Sequence, residues 1–387
     1  MKTILILTSV GGGGQVTINQ ALHQSLGKEY RVTSELYFSN VINSVDPFSL
    51  ITFGRYSGED FYNYFQKKRC FRFMQACYHA SRWHYALFAP LLTKQTITHL
   101  EKTKPDLVIS IIPIVNDIIV KSCQSLQIPL LIVPPDLDIS FYTQELSAPL
   151  YKKLYIALPF DNPMSRKSLE KKFIDERNIF TVKYPLRANF YEKKDIPAIK
   201  KAWNITDTRP VILIMMGAQG NNGSYIFAKE FIHLKIPAHL IICIGKNSIV
   251  KKQIDMLTFP NHIAPHIVEY TEHIADLMAI ADVLISKTGA ISVVEALHSN
   301  LPIIADQTEF VLSWEYFHQI FLQKYGCGLI LKKISSVNQY IQELLSNAKL
   351  LADMKKNIQK VNTMQNGPEI KKVIDHIFDK ENTPQPS

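Results

Sequence analysis

A chain of 387 residues with a formal net charge of +9, 47% apolar and 20% charged, has room for two domains and the composition of a globular rather than a disordered protein. The charge implies an anionic partner and leaves nucleic acid, an anionic membrane surface and a phosphorylated substrate open. Five scattered cysteines without a C-x-x-C pair fit a reducing cytosol rather than a zinc site or a disulfide scaffold, and no window approaches the roughly 18 apolar residues of a spanning helix.

Thr3–Val10 reads as a buried strand, Gly11–Gly14 as its turn and Val16–Leu26 as a helix; the apolar run lacks a cleavage pattern. Further strands are expected at Arg31–Tyr37, Leu107–Ile112 and Leu130–Val133, with a helix between the last two. Before them, Arg55–Phe88 sets Arg55, Lys67, Lys68, Arg69, Arg72 and Arg82 against Glu59 and Asp60, interleaved with eleven aromatics. Such a stretch suits an anionic membrane surface, single-stranded nucleic acid, or an amphipathic helix whose aromatics are core. Tyr151–Tyr184 reads as the closing strand and helix of a first domain, and the Lys-rich stretch Arg187–Arg209 as a linker and hinge.

The pattern restarts with strand Val211–Met216, the glycine turn Gly217–Gly223, a helix, strands His239–Ile244 and Ile267–Tyr270, and a helix near Ile274–Ala281. Then comes the most informative stretch, Asp282–Ile304: strand Val283–Ile285, a turn Ser286-Lys287-Thr288-Gly289, helix Ile291–Ser299, and an apolar run opening at Pro302. Unpaired backbone N–H groups and the positive dipole end meet at such a helix start, which suits a phosphate. Glu295, about one turn behind, is near enough for a sugar hydroxyl of the same ligand; an ordinary turn followed by a solvated Glu is the plainer alternative. Helical patterns at Val337–Ser346, Leu350–Val361 and Pro368–Asp379 close the chain, and the tail ENTPQPS is expected to be disordered. The expected division is 1–186, a linker 187–209, 210–365, and a C-terminal helix with its tail at 366–387. Alternating strands and helices imply parallel sheets that bind ligands at the carboxyl ends of their strands.

Over roughly residues 1–365 the chain resembles the two-domain glycosyltransferases that use nucleotide sugars, nearest to the monogalactosyldiacylglycerol synthase and processive diacylglycerol glucosyltransferase group. The peptidoglycan lipid-intermediate N-acetylglucosaminyltransferase is a near cousin. Four pieces carry the likeness: Gly11–Gly14; KPDLVISIIPIVND (Lys104–Asp117) with LLIVPPDLD (Leu130–Asp138); MMGAQGNNG (Met215–Gly223) with ICIGKN (Ile242–Asn247); and ADVLISKTGAISVVEAL (Ala281–Leu297). It implies an α/β fold of GT-B type, two Rossmann-like βα domains facing across a cleft.

The resemblance also implies site roles. Ser286, Thr288 and Gly289 would hold the diphosphate of a UDP-sugar, with Lys287 in the same turn, and Glu295 would accept from the ribose hydroxyls. Gly217, Gln219 and Gly220 would line the opposite wall, Gly245, Asn247 and Tyr270 the nucleobase pocket, and Glu315 the sugar hydroxyls. Gly12, Gly13 and Gly14 would face the acceptor. Gln15 stands where family members carry a His, and an amide takes up no proton at neutral pH, so Asp136 becomes the candidate base, or else a strand-end cap. The expected activity is inverting transfer of a hexose from a UDP-sugar to a lipid acceptor such as diacylglycerol at the cytosolic membrane face, without metal, cofactor or nucleic acid. The protein would be peripheral, meeting an anionic membrane surface through Arg55–Phe88. Two alternatives remain: an inactive nucleotide-sugar-binding relative, which Gln15 favours, and a UDP-N-acetylglucosamine 2-epimerase on the same fold, which the basic-aromatic segment disfavours.

Overall fold

A computed structural model describes residues 1–147, 151–172, 174–218, 220–364 and 367–382; Gln219 and the tail beyond Asn382 lie outside the described residues. The chain forms two compact units. The first comprises Met1–Tyr62, Ala76–Ala188 and the C-terminal helix Ile370–Asn382; the second comprises Asn63–Gln75 and Asn189–Met364.

The first unit is built on six parallel strands: β1 (Thr3–Thr8), β2 (Arg31–Leu36), β3 (Leu107–Ser110), β4 (Leu130–Ile132), β5 (Leu154–Leu158) and β6 (Ile179–Thr181), ordered β2-β1-β3-β4-β5-β6. The central strands are continuous apolar runs because helices cover both sheet faces, whereas β2 and β6 are edges and more exposed. Helix Gly14–Leu26 buries Ile18, Ala21, Leu22 and Leu26, the three-to-four spacing of one helical face. The C-terminal helix joins this unit through the Tyr30–Asp375 hydrogen bond and a 2.9 Å Lys371–Glu29 ion pair.

Two parts of this unit were less plain in the sequence. Tyr151–Tyr184 holds two strands, β5 and β6, around helix Pro163–Glu170; β6 is three half-buried residues with little pattern to read. Between β2 and β3 run four α-helices, Pro47–Ile51, Gly58–Lys67, Phe71–Leu87 and Ala89–Thr103. The aromatics of Arg55–Phe88 divide accordingly: Phe71, in the stretch that belongs to the second unit, is buried, and Trp83, in the first, is 81% exposed.

The second unit carries β7 (Val211–Met215), β8 (Ala238–Gly245), β9 (Ile263–Glu269), β10 (Val283–Ser286), β11 (Ile303–Asp306) and β12 (Gly328–Leu331), ordered β12-β11-β10-β7-β8-β9 and all parallel. The order reverses between β7 and β10, the topological switch point at which such sheets bind ligands. Met215 pairs in register with Ser286 on one side and Cys243 on the other, and Ser286 with Ala305, so the loops after β8, β7, β10 and β11 leave from one edge. The strand expected at Ile267–Tyr270 starts earlier, at Ile263, since Pro265 and His266 interrupt its apolar run.

Candidate functional site

The turn after β10 is held from inside. Ser286 and Thr288 are each 1% exposed; Ser286 Oγ donates to the Lys287 carbonyl at 2.8 Å, and Gly289 N–H donates to the same carbonyl at 2.9 Å. From helix Ser313–Lys324, the fully buried His318 pairs its Nδ1 with the Thr288 carbonyl at 2.7 Å, a packing role. Gly289 caps helix Ala290–His298 with extended backbone, no side-chain cap and no acidic residue in the first turn. The leading N–H groups of that helix therefore face the turn with their dipole uncompensated, the arrangement an anion needs. Glu295, in the same helix, is 2% exposed, which removes the reading of a solvated surface Glu. Lys287 is no surface lysine either: its Nζ pairs with Glu315 Oε1 at 2.6 Å, and its side chain is 15% exposed.

The loops after β7 and β8 interlock through backbone, which is why they carry glycines. Gly220 has φ +68°, and a Cβ there would lie 1.8 Å from the Ile244 carbonyl oxygen; Gly245 has φ +57°, and a Cβ there would lie 2.4 Å from the Ala218 carbonyl oxygen. Asn247 ties the two together, donating Nδ2 to the Gly220 carbonyl at 2.8 Å while its Oδ1 caps helix Ser248–Asp255. Gly217 brings the first loop against the β10 turn, since a Cβ there would sit 3.2 Å from Lys287 Cε. Tyr270, just past β9, is half-exposed, with Lys246 Nζ 4.6 Å from its ring centroid. The structure thus gathers Gly217, Gly220, Gly245 and Asn247 into one assembly, with Lys287 joining it to Ser286, Thr288, Gly289 and Glu315.

The expected acceptor-side residues lie in the first unit, at the carboxyl edge of its sheet. Gly12 has φ +80° and packs under the Tyr62 ring. Gly13 precedes helix Gly14–Leu26, and Gln15, in its first turn, buries an Oε1 with no hydrogen-bond partner among the described residues. Asp136 follows β4, and its Oδ2 accepts from Tyr142 O–H at 2.7 Å. Burial, then the neighbouring Asp136 carboxylate, holds the Tyr142 phenol well above its ordinary pKa, so Tyr142 remains a donor. One strand, β3, separates β1 from β4, which sets their loops about 10 Å apart.

Sequence reasoning missed two sets of residues. Glu59 is buried beside the glycine loop and braces it, accepting from Ser9 Oγ, from Val10 N–H at 2.9 Å and from Ser39 Oγ at 2.8 Å. In the second unit a small cavity opens beside Lys287 and Thr288, and its walls include Arg69, Asp306 and Gln319. Arg69 Nη2 pairs with Asp306 Oδ2 at 3.2 Å across 237 positions of sequence, a separation that leaves no local signal. Among the described residues no group of three or more His, Cys, Asp or Glu side chains is arranged to hold a metal ion, and no helix is long and apolar enough to cross a membrane.

Comparison with known proteins gives this geometry its class. Residues 211–372, from the first residue of β7, match the glycosyltransferase family 28 C-terminal domain. The chain is 25% identical over 376 residues to a processive diacylglycerol beta-glucosyltransferase of Bacillus licheniformis, covering 95% of this chain and 93% of that protein. Among solved structures it is similar to Acinetobacter baumannii MurG, with TM-score 0.60 and 15% identity over 98% of this chain and 100% of that one. It is also similar to UDP-GlcNAc 2-epimerase from Neisseria meningitidis bound to UDP-GlcNAc, with TM-score 0.58 and 14% identity over 98% of this chain and 100% of that one. At such identities the two structures speak for the fold alone. The fold is α/β of GT-B type, and the matched domain together with the sequence relative makes the chain a hexosyltransferase.

Proposed function

We propose that this hexosyltransferase moves a hexose from a UDP-sugar to a hydroxyl of a lipid such as diacylglycerol, with inversion at the anomeric carbon, at the cytosolic face of a membrane. The observation that carries the donor half is the Ser286–Gly289 turn opening an uncapped helix where the strand order reverses. There the diphosphate accepts from backbone N–H groups, and the helix dipole stabilises the charge that grows on UDP as it departs. Glu295 accepts from the ribose hydroxyls, and the interlocked glycine loops present backbone to nucleobase and phosphate. Asp136 takes the proton from the acceptor hydroxyl as its oxygen attacks the anomeric carbon from the side opposite UDP.

The lipid half rests on the diacylglycerol-glucosylating relative and on the surface of the first unit. Ile51, Phe53, Trp83 and Leu87 are each at least 76% exposed; Arg55 lies in the loop after helix Pro47–Ile51, and Arg82 on helix Phe71–Leu87. Apolar side chains that enter the interface beside cations that attract anionic headgroups suit a peripheral enzyme.

A second reading, a nucleotide-sugar-binding relative without turnover, draws on Gln15, which leaves the glycine loop without a base of its own. Incubation with UDP-glucose, UDP-galactose and a lipid extract separates the two. Transfer yields a β-linked glycolipid, recognised by the large anomeric proton coupling of its sugar. Binding of UDP-sugar without any lipid product supports the second reading, and a free soluble sugar would point to an epimerase.

A further inference from the structure

Asp136 is half-buried in the segment that follows β4, and Tyr142, in the short helix Ser140–Thr143, donates its O–H to Oδ2 at 2.7 Å while itself 2% exposed. The backbones on both sides of this bond are fastened by other groups. Tyr184 O–H donates to the Pro135 carbonyl and Asn162 Nδ2 to the Leu137 carbonyl at 3.3 Å, so the residues before and after Asp136 are each tied down. Tyr142 N–H donates to the Ile139 carbonyl at 2.8 Å. Its own carbonyl accepts from Asn116 Nδ2 at 2.9 Å, and Asn116 Oδ1 in turn accepts from Ser110 Oγ at the end of β3, at 2.6 Å. What the hydroxyl adds is therefore the direction of the Asp136 side chain, which the backbone leaves open to more than one rotamer.

The neighbouring groups decide which of these side chains can change charge. Burial, then the charge of Asp136 and its hydrogen bond, holds the Tyr142 phenol well above its ordinary pKa, and Tyr184 and Tyr78 add to the effect. Tyr78 reaches this corner from helix Phe71–Leu87; burial first and Glu145 second push its phenol up as well, and its hydroxyl accepts from Gln144 Nε2 at 2.6 Å. Glu145 adjoins Tyr78, is pushed up by burial, and pairs with Arg82 at 2.6 Å. On the Asp136 segment itself, Asp138 turns its Oδ1 to the Ser140 N–H at 3.0 Å. Tyr142 thus stays a neutral donor across the working pH range. A donor aimed at a carboxylate favours the ionised form, which is the form a general base requires.

We propose that Tyr142 is the positioning residue of the acceptor side, aiming the Asp136 carboxylate and keeping it ionised for the acceptor hydroxyl. This deepens the reading of Asp136 as the base and rests on it. Tyr142→Phe removes one oxygen and keeps the ring. With UDP-glucose or UDP-galactose and vesicles of diacylglycerol in an anionic phospholipid, its kcat/KM for diacylglycerol should fall about tenfold on the plateau. The acid limb of its pH profile should move up by about one unit, because the carboxylate loses its donor. UDP affinity should stay within twofold of wild type. Replacing Tyr142 by 3-fluorotyrosine, a stronger donor of nearly the same shape, should move the limb down instead, and this arm does not depend on the phenylalanine variant folding. In an Asp136→Asn background, Tyr142→Phe should cost nothing further, a coupling that a merely structural tyrosine would not show. An acid limb that stays in place in both Tyr142 variants, or a full tenfold loss added to Asp136→Asn, overturns the positioning role. Wild-type rate and pH profile in Asp136→Asn would instead sink the base reading itself.

Discussion

Gly220 illustrates how much of the proposed donor site is made by backbone. A methyl group there would meet the Ile244 carbonyl and would also have to tolerate a positive φ. Gly220→Ala should cost roughly 2–5 kcal/mol, strain plus overpacking, read as a lowered urea midpoint, and should weaken UDP binding as the two loops part. Glu295→Gln tests the proposed ribose contact with little change of shape. UDP affinity should fall about tenfold while the melting temperature moves by a few degrees at most, because an amide is a weaker acceptor than a carboxylate. The place of Glu295 behind the turn was legible in the sequence because the turn, the helix start and the carboxylate lie within ten consecutive positions. Arg69, Asp306 and Gln319 were not, because only the fold brings them to one cavity. Glu59 likewise reads as half of a surface Glu-Asp pair until β1 and Ser39 are placed around it.

Among elements, the long apolar strands and the strand-turn-helix unit at Asp282–Ile304 follow from periodicity, whereas short edge strands such as β6 and β12 do not, since three or four half-buried residues carry no period. The strand pair β8–β9 also carries a polar feature away from the site, toward the amino-terminal end of β8. His239, 1% exposed, pairs with His266 at 3.0 Å on one side and with Asp207 at 2.9 Å on the other. Burial, then His239 and Arg209, lowers the His266 pKa from 6.5. The folded form thus resists a proton that the unfolded chain accepts. Above about pH 6.5 both states are neutral at this group and it has no effect; as pH falls below that value the unfolded state binds more protons, and stability declines until the folded pKa is passed. His266→Gln should therefore flatten the fall in melting temperature between pH 7 and pH 5 relative to wild type, leaving UDP binding at pH 7 unchanged. Parallel melting curves for the two proteins would contradict this.

At the scale of the whole molecule, each unit presents its loops from the carboxyl edge of a parallel sheet, and each has its glycine loop at the point where strand order reverses, after β1 in one and after β7 in the other. That symmetry was visible in the alternating pattern of the sequence, as was the nucleotide-sugar half of the chemistry. Less visible was a source for a base, since Gln15 breaks the pattern and the proposal of Asp136 rests on its place after β4. The net charge of +9 and the exposed apolar side chains of the first unit fit work at an anionic surface. The claim that joins these parts is that UDP departs because a lipid hydroxyl attacks. It is tested most directly by following UDP release from UDP-hexose with and without vesicles of diacylglycerol in an anionic phospholipid. The account predicts release that depends on diacylglycerol, is matched mole for mole by hexose in the organic phase, and falls at least about a hundredfold in Asp136→Asn while UDP binding persists. UDP-hexose binding without diacylglycerol-dependent release, or release whose sugar stays in water, would contradict it.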